Sequence, residues 1–387
     1  MASVHAALLR RVFSTDPDTP SADVEHDMVR PPPRPPMCNI GRGTCGTVYD
    51  MGSTNRAIKL GSSAKDLLRD YQQTATARRA VNEWAAALVT HFEAKGLRIS
   101  VPKMPRCYEF HTDCAEVVKR HEEELASDDV CSSSDSDISE IERTKPGFIM
   151  ERIPAIPHCA REALVKEFFD EEDHDYFLHD MDSLDCLVRL YFGQEDNGAA
   201  ISDLRNFPLY TDQMDDIGLD TKTLVTELAV GLAIVHWGAE LDAMDSEYVL
   251  ASSSPYLSRS RTSNLDLTVG DAAEPTPDIT RRDTCIWILD FDKASFLDLD
   301  DHDETVRRLV VATSGNDPYF PRVDLNEERW LQFREAYVEA SEVILTARAA
   351  RGEIERGLSR LPEQFMGALY QHYMDDADQG DYIVFSD

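Results

Sequence analysis

The sequence predicts an α+β protein in two lobes: a small antiparallel β-sheet with one long helix, then a mainly helical lobe. Three features of the 387-residue chain support this fold class. Short strand patterns separated by glycine turns are concentrated before residue 154. One long helical pattern follows the third of these strands, and helical periodicity dominates the remainder.

The first lobe begins with a predicted β-meander between residues 38 and 60, whose last strand covers 56–60. Apolar residues at helical spacing then predict a long helix over 65–93. Further strands of this lobe are predicted over 99–104, 106–110 and 147–152.

In the second lobe, helical periodicity is the prevailing pattern. Helices are predicted near residues 160–170, 180–192, 221–237, 327–349 and 362–374. Two short strands, 248–250 and 285–289, interrupt them.

Composition also divides the chain. Residues 1–36, rich in proline and aspartate, are predicted to be a disordered N-terminal tail. Residues 37–153 form the predicted first lobe, with an exposed, acidic, serine-rich insertion over about 113–145. Residues 154–387 form the predicted helical second lobe, with a flexible insertion over about 252–280.

Charge and hydropathy reduce the number of functional classes that the chain can belong to. The formal net charge of −33 argues against binding nucleic acid over a broad surface. No run of about twenty apolar residues exists, so we expect no membrane span. Residues 1–15 lack acids and are similar to the start of a transit peptide, but acids and prolines follow at once, which favours a disordered tail. A cytoplasmic protein is the expectation, with nucleus and mitochondrion open as alternatives.

The most specific pattern is a glycine-rich string between two strand patterns, formed by Gly41, Gly43, Gly46 and Val48. A dinucleotide-binding turn would continue directly into a helix, whereas a second strand pattern follows here. Glycines let backbone N–H groups approach phosphate oxygens, and a lysine on the third strand, Lys59, would neutralise their charge. The string therefore predicts a site for the phosphates of a nucleotide.

These residues resemble the glycine loop and strand lysine of protein kinases. The resemblance implies ATP as the nucleotide and Mg²⁺ as its metal ion. It also implies a glutamate on the long helix that pairs with Lys59, for which Glu83 is the candidate and Glu93 the alternative. The strand over 147–152 would lead into a hinge near Glu151 whose backbone groups face an adenine ring.

The resemblance is incomplete in the second lobe. Residues 240–250 keep the aspartate that serves kinases as catalytic base, Asp242, but carry Glu247 where kinases have a metal-binding asparagine. A glutamate also binds hard cations, although its charge opposes an anionic nucleotide. Asp290 matches the metal-binding aspartate of kinases, and Asp292 replaces the flexible glycine that follows it. Asp290 and Glu247 are the candidate metal ligands.

The motifs together, over about residues 41–322, resemble an uncharacterised fungal family of kinase-like proteins, a domain of unknown function. They predict a kinase-like nucleotide-binding protein, catalytically weak or a pseudokinase, that acts as a regulator or scaffold. Two alternatives stay open: an active Mg²⁺-dependent phosphotransferase on a small molecule, and a protein-interaction module that binds no nucleotide. The expected partners are a nucleotide and other proteins, without nucleic acid or membrane.

The eight cysteines include no Cys-x-x-Cys pair, which argues against a disulfide framework and against paired zinc ligands. Cys107, His111 and Cys114 are the nearest approach to a zinc site. We interpret them as ordinary side chains.

Overall fold

The computed structural model describes residues 3–16, 37–52, 55–127, 138–253 and 282–379. The strands in these ranges are β1 (Asn39–Arg42), β2 (Thr47–Asp50), β3 (Arg56–Leu60), β4 (Cys107–His111), β5 (Gly147–Glu151), β6 (Leu187–Tyr191), β7 (Asn206–Tyr210), β8 (Glu247–Ser252) and β9 (Thr284–Leu289). The α-helices are α1 (Val4–Val12), α2 (Ala64–Ala94), α3 (Ala115–Ser127), α4 (Glu140–Arg143), α5 (His158–Phe168), α6 (His174–His179), α7 (Thr211–Asp216), α8 (Thr221–Ala233), α9 (His302–Ser314), α10 (Glu327–Arg351) and α11 (Leu361–Gln379).

The first five strands form a small antiparallel sheet in the order β1-β2-β3-β5-β4. Its register places Lys59 on β3 between Val48 on β2 and Phe148 on β5. Tyr49 and Ile58, both almost fully buried, belong to the hydrophobic cluster of this sheet. The predicted antiparallel sheet is therefore confirmed, and its middle strand carries the candidate lysine.

Helix α2 is the predicted long helix. The hydroxyl of Ser63 accepts a hydrogen bond from the Asp66 N–H at 3.3 Å and so satisfies one of the free donors at the helix start. The helix ends just before Gly96, whose φ of 81° is a left-handed conformation that favours glycine. One face of α2, from Leu67 to Phe92, is buried against the small sheet and against the rest of the fold.

A second, four-stranded sheet has the order β7-β6-β8-β9, with β6 and β7 parallel and the other pairs antiparallel. The helix predicted over 180–192 is wrong because β6 lies in this range. Val188 and Leu190 are fully buried while Arg189 between them points to the other face, which is the two-residue period of a strand.

The predicted mixed α+β class is confirmed, with more β-structure after residue 154 than expected. The main hydrophobic cluster lies among α2, α8, α10, α11 and the second sheet. Helix α9 was not predicted. Within the described ranges, no helix combines the length and the apolar character needed to cross a membrane.

The prediction of a disordered tail over 1–36 is wrong for its first part. Residues 4–12 form α1, where the hydroxyl of Ser3 accepts a hydrogen bond from Ala6 N–H at 2.9 Å. Leu9 and Val12 are fully buried against α5 and its surroundings, so burial of this apolar stripe outweighs the disorder-prone composition that follows. Residues 17–36 lie outside the described ranges.

The acidic insertion predicted over 113–145 is exposed only in part. Its ends form α3 and α4, and Cys114, Val118 and Ile138 are buried in the cluster of the small sheet. The apolar spacing of these residues within an acidic stretch is the reason for the difference. Residues 128–137, and 254–281 of the second predicted insertion, lie outside the described ranges.

The strand predicted over 99–104 is not formed as such. Pro102 has no N–H for a ladder hydrogen bond, and only Lys103 bridges to Trp287 on β9. The Lys103 N–H donates to the Ile286 carbonyl at 2.8 Å, and the Ile288 N–H donates to the Lys103 carbonyl at 2.8 Å.

Candidate functional site

The glycine string forms the turn of the β1–β2 hairpin. The Gly43 N–H donates to the Gly46 carbonyl at 2.9 Å, and Gly41 lies opposite Val48 in the register. The tip of the turn is exposed. A hairpin with an exposed glycine tip presents backbone N–H groups to solvent and to ligands.

The glycines of this hairpin and the neighbouring Gly61 differ in whether the fold has room for a side chain. A Cβ on Gly46 would lie 2.5 Å from the Leu60 carbonyl oxygen, and a Cβ on Gly61 would overlap the Cys45 carbonyl oxygen. At Gly43 the nearest atom to a Cβ is Asp290 Oδ2, at an ordinary contact distance of 3.6 Å. Gly46 and Gly61 therefore serve the folding of the hairpin, whereas Gly43 faces the candidate site.

We expect Gly46→Ala to lower the free energy of unfolding by roughly 1–3 kcal/mol, because a rigid backbone carbonyl meets the new methyl group. Gly43→Ala should stay within about 0.5 kcal/mol of the parent protein. Urea denaturation followed by circular dichroism measures both variants. Equal stability of the two would contradict this division of roles.

Lys59 is the centre of the site. Its Nζ lies 2.6 Å from Asp70 Oδ2 and 2.7 Å from Asp290 Oδ1, and the lysine is 5% exposed. Burial lowers the pKa of Lys59, but the charges of Asp70 and Asp290 outweigh burial and raise that pKa well above its usual value. Lys59 is therefore charged at any physiological pH and holds the first sheet to the end of β9.

Asp290 follows β9 directly and has a left-handed φ of 60°. Its side chain is 23% exposed, so its carboxylate is open to a ligand on one side. Because Gly43 lies against Asp290 Oδ2, the glycine loop, Lys59 and Asp290 meet at one place.

Helix α2 holds the segment after β9 with three side chains. The Arg69 guanidinium donates to the Asp292 carbonyl at 3.1 Å, and the Gln73 amide donates to the Ala294 carbonyl at 2.7 Å. Asp70 Oδ1 accepts from the Phe291 N–H at 3.1 Å. These contacts determine where Asp290 lies relative to Lys59.

The partner of Lys59 on the helix is Asp70, and the expectation of Glu83 is wrong. Glu83 lies on the outer side of α2, where it forms an ion pair with Arg351, and its side chain is 46% exposed. Asp70 lies on the buried stripe of the helix, three residues after Leu67. A carboxylate within an apolar helix face was the signal in the sequence, because such a group needs a buried partner.

Glu247 is close to the site but is not free. It lies opposite Leu289, the residue before Asp290, and its carboxylate forms an ion pair with Arg189 of β6. Burial raises the pKa of Glu247, and the negative charges of Asp290 and Asp317 add to this rise against the opposing effect of Arg189. The expected metal ligand Glu247 is thus a partner of Arg189 in this structure.

Both carboxylate oxygens of Asp242 are engaged. Oδ1 accepts from the Ser295 N–H at 2.8 Å and from the Met244 N–H at 3.2 Å, and Oδ2 accepts from the Arg308 guanidinium. The residue is 5% exposed. In this arrangement Asp242 connects the segment before β8 to the segment after Asp290 and to α9.

The hinge expected near Glu151 has little free backbone. The Glu151 N–H donates to the Arg106 carbonyl at 2.7 Å, and the Arg152 N–H donates to the Asn55 carbonyl at 3.2 Å. The Glu151 carboxylate accepts from the Arg106 N–H at 3.0 Å and lies 3.3 Å from Arg78. These two N–H groups are therefore not open to an adenine ring, because the carbonyls of Arg106 and Asn55 already accept from them.

Backbone strain is concentrated around the same site. Among the described residues, those with left-handed φ that are not glycine include Glu240 at 57°, Ala243 at 59°, Asp245 at 62° and Asp290 at 60°. Such conformations cost energy and persist where the surrounding structure enforces them, which is common at functional sites. Of the five such residues in the described ranges, four lie in the segments that carry Asp242 and Asp290, and the fifth is Met37.

One family model matches the chain, over residues 286–349; it is DUF3669, described as a zinc finger protein. The matched stretch covers most of β9, Asp290, α9 and most of α10. No curated protein and no solved structure gives a significant match. The resemblance to protein kinases and to a fungal kinase-like family is thus wrong as an identification, because the matching model belongs to a family with another description.

A zinc site does not follow from that match. Residues 286–349 contain no cysteine and one histidine, His302, whereas a zinc finger needs four cysteine or histidine ligands. Cys107 is partly buried, and burial raises the pKa of its thiol to about 12, which disfavours the thiolate that binds zinc. Throughout the described part of the chain, no three acidic, histidine or cysteine side chains are placed to hold a metal ion by themselves.

Proposed function

We propose that this protein binds a magnesium–nucleoside triphosphate, ATP being the first candidate, and acts as a regulator or scaffold with little or no phosphoryl transfer. The observation that carries the proposal is the meeting of three segments distant in the chain. Gly43 lies against Asp290 Oδ2, and Lys59 Nζ lies 2.7 Å from Asp290 Oδ1. A glycine turn, a buried lysine and a carboxylate are the groups that bind phosphates and their metal ion.

We also infer that the small sheet and the rest of the fold act as two lobes with the site between them. The glycine loop and Lys59 belong to the small sheet, whereas Asp290 ends a strand of the second sheet. Each sheet contributes to a separate hydrophobic cluster, which supports two packing units.

The charge of the site supports a requirement for a divalent cation. Lys59 is already paired with Asp70 and Asp290, so it has no unmatched positive charge for a triphosphate. An anionic nucleotide alone would meet a net negative site. Mg²⁺ would reverse this repulsion, since it binds through one or two carboxylates together with phosphate oxygens and water.

Two contacts support weak catalysis. The Asp242 carboxylate accepts hydrogen bonds from Arg308 and from two backbone N–H groups, which leaves it poorly placed to accept a proton from a substrate. Glu247 is paired with Arg189, which removes a second candidate ligand from the metal. Both groups favour the binding function over the active phosphotransferase.

We expect Mg²⁺·ATP to stabilise the protein, by about 2.7 kcal/mol at a ligand concentration one hundred times Kd, and ATP with a chelator to have no effect. Asp290→Asn should abolish the stabilisation, because it removes the carboxylate beside the glycine loop. Asparagine tolerates the left-handed conformation of this position, so the fold should be retained. Thermal unfolding with and without ligand measures all three effects.

The matched control is Asp245→Asn. Asp245 has nearly the same φ, 62°, and pairs with the half-exposed Lys293 at 2.7 Å, so it undergoes the same substitution in the same backbone conformation. It should keep the response to Mg²⁺·ATP. No stabilisation of the parent protein at millimolar Mg²⁺·ATP would overturn the proposal and favour the interaction module. Release of phosphate that Asp242→Asn abolishes, with binding retained, would favour the active phosphotransferase instead.

A further inference from the structure

Asp292 is a buried carboxylate beside the proposed metal position. It is 2% exposed, and its Oδ1 has no hydrogen-bond partner in the described part of the chain. The contact from Arg69 goes to the Asp292 backbone carbonyl and leaves the side chain alone. An unpaired buried oxygen of this kind is costly, so a group that completes it should exist in the functional state.

The surroundings of Asp292 have an excess of negative charge. The carboxylates of Asp290 and Asp70 are its charged neighbours, and Lys59 is already paired with both of them. The thiol of Cys45, in the glycine loop, donates a hydrogen bond toward the Asp292 carboxylate. No ion pair of the described residues includes Asp292, so its charge is the least compensated of the three carboxylates.

A divalent cation would satisfy this arrangement. Mg²⁺ takes hard oxygen ligands, commonly one or two carboxylates, and completes its shell with phosphate oxygens and water. Glu247 is occupied by Arg189, whereas Asp292 Oδ1 is unoccupied and two residues from Asp290. Because the described side chains include no group of three potential ligands, the remaining positions would come from the nucleotide and water.

We propose that Asp292, and not Glu247, is the second carboxylate ligand of the divalent cation that Asp290 binds at the glycine loop. The inference rests on the proposed function for the position of the metal. Asp292, which the sequence comparison treated only as a replacement for a glycine, is then a metal ligand. Glu247, which was expected to be a metal ligand, is then the partner of Arg189.

The test measures the affinity of the full chain for Mn²⁺, both without and with ATP. Electron paramagnetic resonance gives the concentration of the free ion. Asp292→Asn should weaken Mn²⁺ binding by roughly tenfold or more. The same substitution should raise the unfolding temperature of the metal-free protein, because it removes a poorly compensated buried charge. This pairing of weaker metal binding with higher metal-free stability is not expected of a merely structural aspartate.

Glu247→Gln and Asp245→Asn are the control variants, and both should bind Mn²⁺ within about threefold of the parent protein, a difference of less than 1 kcal/mol. Asp292-dependent Mn²⁺ binding without any effect of ATP would support this inference and overturn the nucleotide function. ATP binding to a parent protein that binds no Mn²⁺ would overturn this inference and leave a nucleotide site that does not need a metal. Unchanged Mn²⁺ affinity in Asp292→Asn, or a loss in Glu247→Gln as large as in Asp292→Asn, would overturn the inference.

Discussion

Lys59→Met should lower the free energy of unfolding by roughly 3–5 kcal/mol, because it leaves Asp70 and Asp290 without their shared cation in a buried site. Asp70 is 3% exposed, so its charge would stay buried without a cation. Urea denaturation followed by circular dichroism gives the value, provided that the slope of the unfolding curve is unchanged.

The double variant Lys59→Met, Asp70→Asn tests the reason for this loss. Removing one of the two unpaired charges should restore part of the stability, and the asparagine oxygen can still accept from the Phe291 N–H. A loss below about 1 kcal/mol in the single variant would show that the pair behaves like an exposed one. If the loss is as large as expected, Lys59→Met could fail to bind nucleotide merely because it is unfolded. Asp290→Asn is therefore the better test of nucleotide binding.

Arg282→Met should have a comparable effect, again roughly 3–5 kcal/mol, at the opposite end of β9. The side chains of Arg282 and Glu227 are each 1% exposed and form an ion pair inside the fold. Glu227 also accepts from the Ser100 N–H at 2.6 Å, so it cannot move to water when the arginine is lost. Burial raises the pKa of Glu227 against the effect of Arg282, and loss of the arginine should raise it further.

This variant also separates stability from binding. Arg282 precedes β9 and Asp290 follows it, so the proposed site is about the length of a strand away. At a temperature where the variant is folded, Mg²⁺·ATP should stabilise it as much as the parent protein. Loss of that response, or a destabilisation of less than 1 kcal/mol, would contradict the assignment of this pair to folding alone.

The two largest expected effects thus belong to buried ion pairs at the two ends of one strand. The pair at the start of β9 has no open side. The pair at its end includes Asp290, which is 23% exposed and faces the glycine loop. The partial opening of the second pair is the physical reason that we propose a ligand there and not at the first pair.

The candidate site shows how much of a binding site sequence patterns can predict. Lys59 and Asp290 were selected from two motifs more than two hundred residues apart, and the structure brings them within 2.7 Å. Their roles toward a nucleotide and a metal stay predictions. The resemblance that suggested them does not identify the family, since short glycine and aspartate motifs recur where the same local chemistry is needed.

The wrong predictions of side-chain partners at the site have one cause. Glu83 and Asp70 are both acidic residues of α2, and their distance along the chain from Lys59 does not distinguish them. Only the face of the helix that is turned inward does, and α2 turns Asp70 to Lys59 and Glu83 to Arg351. In the same way, the ion pair between Glu247 and Arg189 was not predicted, because β6 was not recognised as the strand next to β8.

The sequence by itself determined the local elements of this protein: the glycine hairpin, the lysine strand, the long helix and the apolar strand before Asp290. These depend on the propensity and period of neighbouring residues, which a sequence displays directly. The tertiary structure decided which charged groups meet: Asp70 pairs with Lys59, Arg189 pairs with Glu247, and Oδ1 of Asp292 has no hydrogen-bond partner among the described residues. Charge pairing depends on which faces are buried together, and burial is a property of the assembled fold.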